Sequence, residues 1–140
     1  ALARTNRFAL PLGTSKTAVI GARDVGEVAA VVLTGEGHVG QAYRLTGPAM
    51  MDFHEVAAHM GTVLARPVSY VAQSPEAFRE VLGQFIQSAW QLDAVCELFA
   101  EIAAGSLEEQ TSTTADLLGR PAMDLETFTQ QFASAFAPAG

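Results

Sequence analysis

Apolar residues recur at helical spacing in five stretches of the chain. Over residues 24–34, Val25, Val28, Ala29, Val32 and Leu33 fall at i, i+3, i+4, i+7 and i+8, which is one stripe of a helix. Asp24 reads as its N-cap, Glu27 three residues on completes a capping box, and Gly35 stops it. A second helix starts at Asp52, again with a glutamate (Glu55) three residues later. Phe53, Val56, Ala57, Met60, Val63 and Leu64 make its buried stripe. The third follows Ser74-Pro75-Glu76, a cap, a proline at the first helical position and an acidic first turn. Ala77, Phe78, Val81 and Leu82 form its apolar face, and Gly83 ends or bends it. Residues 86–104 carry Ala89, Leu92, Cys96, Phe99 and Ala103 on one face, closed by Gly105. The last helix is capped by Asp124, with Leu125, Phe128, Phe132 and Phe136 as its stripe.

Short candidate strands lie between these helices, at 8–10, 17–20, 42–45 and 68–71. Strands alternating with helices predict an α/β fold rather than a helical bundle. The expectation is a small sheet of short strands with four to five flanking helices, in one domain over residues 1–140. So small a sheet leaves backbone groups unpaired at its edges, so part of it is expected to lie against something outside these residues.

Composition narrows the field. The chain has 140 residues, 49% of them hydrophobic, which is enough for one real core. Its longest apolar run, from Val28 to Leu33, has six residues, far short of a membrane span. No basic-then-apolar signal segment opens it, and it starts on Ala1 rather than a methionine, as a processed or excised piece would. Eight cations against 15 acidic residues give a net charge of -7, and Lys16 is the single lysine. Such scattered cations argue against a nucleic-acid surface and for a cytoplasmic protein. One cysteine, Cys96, allows no internal disulfide and reads as a buried thiol, with a nucleophile as the alternative.

Several motifs look chemical. Gly35-Glu36-Gly37-His38-Val39-Gly40 is a literal G-x-G-x-x-G, but a helix precedes it and a strand is expected after it. A dinucleotide site needs the reverse order, so that a helix N-terminus faces the pyrophosphate; a plain turn is the reading here. Residues 13–17 resemble half a phosphate loop and read as a turn. His54 and His59 stand five apart, about 140° around a helix, and so cannot easily share one metal. The hydroxyl cluster at 111–114 reads as capping of a short helix over 115–119. A Tyr-x-x-x-Lys pair is excluded, because Leu12 stands four before Lys16. The remaining candidates for acid–base work are His54, His59, Asp93 and Glu97. Tyr70, Phe85, Trp90 and Phe99 are candidates to line an apolar ligand pocket, with core packing the default for each.

An ordered series of segments carries a family resemblance. It runs through Phe8-Ala9-Leu10-Pro11-Leu12-Gly13, Arg23-Asp24-Val25-Gly26-Glu27-Val28-Ala29, Tyr43-Arg44-Leu45-Thr46-Gly47 and Phe53-His54-Glu55-Val56-Ala57. It continues with Arg66-Pro67-Val68-Ser69-Tyr70-Val71, Leu117-Leu118-Gly119-Arg120-Pro121 and Leu125-Glu126-Thr127-Phe128. Together these resemble the C-terminal half of NmrA-like atypical short-chain dehydrogenases, a family of NAD(P)H-dependent quinone reductases and redox-sensing regulators. The resemblance implies a partial, substrate-side domain. It also implies that the Gly-rich cofactor turn belongs to an N-terminal half not among these residues, so that NAD(P) binds only if that half is supplied. No catalytic residue of the family is carried over.

Three functions follow as expectations. The first is the substrate-binding portion of an NAD(P)-dependent oxidoreductase, completed by a Rossmann-half partner chain. The second is a standalone cofactor-independent cyclase, isomerase or dehydratase acting on a hydrophobic metabolite. The third is a non-enzymatic regulatory or binding module. In each, a hydrophobic small molecule and pairing, as a homodimer or larger homo-oligomer or with a partner, are expected, and nucleic acid and membrane are not.

Overall fold

The computed structural model describes residues 5–136. Strand β1 (Arg7–Leu10) pairs in parallel with β2 (Ser69–Ala72), in the register Phe8 to Tyr70 and Leu10 to Ala72. Helices α1 (Ala22–Thr34) and α2 (Phe53–Val63) lie between them in sequence. After β2 come α3 (Pro75–Gly83), α4 (Ala89–Ala103), α5 (Thr113–Leu118), α6 (Leu125–Gln131) and the single turn α7 (Ala133–Phe136). The expected α/β class holds, with seven helices among the described residues in place of four or five. The last stripe breaks in two at Phe132, and the hydroxyl-rich stretch forms α5.

Two of the four expected strands are absent from the sheet. Residues 17–20 make one antiparallel bridge, Thr17 to Met51, and 42–45 are irregular. The reason lies in where their backbone bonds go. Gly47 donates to the Ala18 carbonyl at 2.9 Å, and a Cβ there would stand 1.9 Å from the Val19 oxygen. Glycine permits this close crossing, which stops a ladder from forming. The Thr46 amide and carbonyl are both satisfied by the buried hydroxyl of Thr114, at 3.2 and 2.9 Å. The Thr111 hydroxyl donates to the Arg44 carbonyl. Threonine hydroxyls thus take the place of a neighbouring strand.

Three caps form as their sequences predict. Asp52 and Glu55 make a reciprocal capping box, Ser74 accepts from Ala77, and Asp124 accepts from Thr127. The first helix differs. Gly21 occupies its N-cap position, and Asp24 is fully buried in the first turn. Its carboxylate accepts from Arg120 at 2.7 Å and from the Met123 amide at 2.6 Å, tying α1 to the segment between α5 and α6. Arg120 also reaches Glu27 at 2.5 Å. The α1 stripe is buried only at Val28, and Leu33 is 84% exposed. Nor do residues 111–114 cap a helix through their side chains. Ser112 stands at the N-cap of α5 without a capping bond, and its hydroxyl meets Asp116 instead.

The core gathers where α2 meets β2 and α6. Val56, Ala57 and Met60 of α2 are buried there with Tyr70. The Tyr70 ring meets those of Phe8, Phe53 and His54 at centroid distances of 5.5, 5.8 and 4.8 Å. Its hydroxyl donates to the Leu10 carbonyl at 2.9 Å and accepts from the Leu12 amide at 3.3 Å. Burial raises the Tyr70 phenol above its ordinary pKa, which keeps that donor protonated. Helix α4 packs on α3 through Phe99 and Phe78, whose rings stand 4.6 Å apart, yet none of its residues is buried. Among the described residues no helix is long and apolar enough to cross a membrane.

Replacing Tyr70 by Phe strands the Leu12 amide, and is expected to cost about 1–3 kcal/mol in urea denaturation. Hydrogen bonds from Arg120 lower the pKa of Glu27, that from the Asp52 amide lowers Glu55, and that from Thr127 lowers Asp124. A carboxylate depressed in this way supports the fold above its unfolded pKa and withdraws that support as pH falls through the folded one. Urea midpoints are expected to hold down to about pH 5 and to drop below about pH 4, with a shallower drop in E27Q and E55Q.

Candidate functional site

An apolar cavity opens beside the carboxyl end of β1, and a second adjoins it. The larger, about 500 Å³, is walled by Leu10 and Leu12 on one side and by residues 17–20 on another. Phe53 from the start of α2, Phe99 and Ile102 from α4, and Leu107 from the following loop close it further. The smaller, about 260 Å³, shares Val19, Ile20 and Phe53 and extends over Met51, Val56, Leu125 and Phe128. Together they form one groove beyond a strand of a parallel sheet, where α/β folds place their ligands. Its size lies in the range of small-molecule pockets.

The local fold explains the walls. The Tyr70 hydroxyl fixes the chain at Leu10 and Leu12 as it leaves β1. The Ser15 amide donates to the Leu12 carbonyl, closing a turn, and the buried Ser15 hydroxyl donates to the Ile102 carbonyl at 2.7 Å. Residues 13–17 are therefore the expected turn, anchored to the end of α4. On the far side the loop 105–112 is held by Gln110 to Pro48, by Thr111 to Thr46 and by Glu108 to the Lys16 amide. Arg44 and Glu109, the two charged residues that line the larger cavity, form an ion pair.

The residues singled out from sequence are scattered. Of the eight, Phe99 lines the groove. Tyr70 is buried beneath it and pins the strand. His54 is exposed on α2 with its ring edge against Tyr70, and His59 is exposed on the same helix. Asp93 is exposed and paired with Arg79 at 2.6 Å, and Glu97 is exposed nearby on α4. Phe85 and Trp90 are 76% and 79% exposed and line neither cavity. Cys96 is half-buried in a small hollow with Phe78 and Ala100. The groove residues that sequence reasoning missed (Leu10, Val19, Ile20, Ile102 and Leu107) are alkyl side chains that read locally as core. The two leucines flanking Pro11 after a strand were the available signal. Among the described residues no cluster of His, Cys, Asp and Glu is placed to hold a metal.

A dinucleotide phosphate does not fit the glycine run. Gly35 caps α1, where a Cβ would stand 2.9 Å from the Val31 carbonyl oxygen and 3.0 Å from the His38 ring. The His38 side chain fills the turn and bonds the Tyr43 hydroxyl at 2.7 Å. The next helix, α2, starts only at Phe53.

Comparison with known proteins defines the kinship. No family model matches the chain. Over 139 residues it is 35% identical to an NAD(P)H azoreductase of Xenophilus azovorans, covering 99% of this chain and 49% of that one. Over 130 residues it is 33% identical to a (4-alkanoyl-5-oxo-2,5-dihydrofuran-3-yl)methyl phosphate reductase of Streptomyces griseus, covering 90% and 44%. The fold matches an NADPH-dependent quinone oxidoreductase of Escherichia coli with a TM-score of 0.78 at 23% identity, over 91% of this chain and 46% of that one. The chain is thus similar to part of NAD(P)H-dependent reductases, in line with the resemblance drawn from its sequence. It spans about half the length of the curated relatives it matches.

Val19 lines both cavities and is 48% exposed, so a charge there disturbs the groove more than the core. Val19→Asp is expected to weaken binding of a neutral naphthylamine probe at least tenfold, read by fluorescence titration, with the urea midpoint nearly unchanged.

Proposed function

We propose that these residues form the substrate-side wall of an NAD(P)H-dependent reductase and receive a flat, apolar electron acceptor. The observation that carries this reading is the groove of about 500 Å³ beside the carboxyl end of β1. Kinship with chains named as an azoreductase and a quinone oxidoreductase supports it, since both names imply flat conjugated acceptors. The phosphates of the dinucleotide are held by a Rossmann unit, on the same polypeptide or on a partner. These residues contribute water exclusion and orientation, with Leu10, Val19, Ile20 and Phe99 as a dry wall.

The test separates the two duties. Calorimetric titration of NADPH into the 140-residue chain is expected to give no binding isotherm. A simple naphthoquinone is expected to displace the neutral naphthylamine probe from the same chain. Adding a Rossmann unit from a relative is expected to restore NADPH binding. Tight NADPH binding by the 140 residues alone, or failure of the quinone to compete, overturns the reading.

A further inference from the structure

In the mostly apolar lining of the groove, Arg44 and Glu109 form an ion pair. Their positions are set by backbone. The Arg44 carbonyl accepts from the Thr111 hydroxyl at 2.9 Å, so the two chains that carry the pair are stitched together beside it. On either side of Glu109, Gln110 donates to the Pro48 carbonyl at 2.7 Å and Glu108 accepts from the Lys16 amide at 3.1 Å. Glu109 is thereby held in that lining, with its side chain 48% exposed and that of Arg44 61% exposed.

We infer that Glu109 is a specificity-determining residue: by occupying Arg44 it leaves no free cation among the described residues that line the groove, so the groove takes an uncharged aromatic molecule and disfavours one bearing an anionic group. This rests on the reading of the groove as the acceptor site. Arg44 alone would be a ready anchor for a sulfonate or carboxylate, since its guanidinium offers a fork of donors. With Glu109 in place, an incoming anion must displace one carboxylate and remain close to it. The neighbouring Glu108 and the net charge of -7 add to the repulsion. One charge at contact distance in a half-solvated site amounts to roughly a five- to tenfold change in affinity.

The experiment uses two probes with the same aromatic body, anilinonaphthalenesulfonate and its uncharged parent phenylnaphthylamine. Fluorescence titration gives the ratio of their affinities for the full chain. In Glu109→Gln the ratio of sulfonate to parent is expected to rise roughly five- to tenfold, and to rise less in high salt, where screening weakens the freed Arg44. In the double variant R44Q/E109Q the gain is expected to vanish. Glu36→Gln removes the same charge from an exposed loop and is expected to leave the ratio unchanged. If the parent binds and the ratio in E109Q matches that in E36Q, the inference fails while the groove stands. If neither probe binds the wild-type chain, the groove and the inference fall together.

Discussion

The hydroxyl of Tyr70 joins one strand to the chain that leaves the other. β1 and β2 are four residues each and are separated by 58 residues of sequence between Leu10 and Ser69, so their pairing must offset a long loop closure. Four parallel register pairs are a short ladder for that duty. The Tyr70 ring adds contacts to Phe8 and Phe53, and its hydroxyl bonds Leu10 and Leu12 just past the end of the ladder. Those bonds fix where the chain goes next. Leu10 and Leu12 become one wall of the groove, and residues 17–20 another, because the exit from β1 is pinned.

Side chains then do elsewhere what a larger sheet would have done. Thr114 satisfies both backbone groups of Thr46, Ser15 ties its turn to the end of α4, and Asp24 receives Arg120 and the Met123 amide. All four of Thr114, Thr46, Ser15 and Asp24 are buried, so each bond forms where an unmet polar group would be costly. The groove walls are therefore irregular segments held by specific polar pins, which leaves their alkyl side chains free to face a ligand.

This division explains how much was legible in the sequence. The caps at Asp52, Ser74 and Asp124 are local, since each side chain bonds an amide three residues away. Asp24 shows the same local pattern, with a glutamate three residues later, but its partner Arg120 lies 96 residues on. The tertiary bond wins because it satisfies a buried carboxylate, and helix α1 begins at Ala22 instead. Residues 17–20 and 42–45 have strand-like composition, yet Gly47 and the threonines divert their backbone bonds. The site was harder to see. Choosing by titratable and aromatic type picked His54, His59, Asp93, Glu97, Phe85 and Trp90, all on exposed surfaces. Aliphatic residues supply most of the groove, and nothing in a local window separates an alkyl side chain that lines a cavity from one that fills a core. Phe99, which does both, was the one legible member.

The groove is the place where an uncharged aromatic molecule is expected to settle on this chain. Amide chemical shifts mapped during titration with such a molecule report that directly. The expected perturbations cluster at Leu10, Leu12, residues 17–20 and residues 44–46, around the larger cavity. Perturbations confined instead to the connection between α3 and α4 and the start of α4, around Phe85 and Trp90, would contradict it.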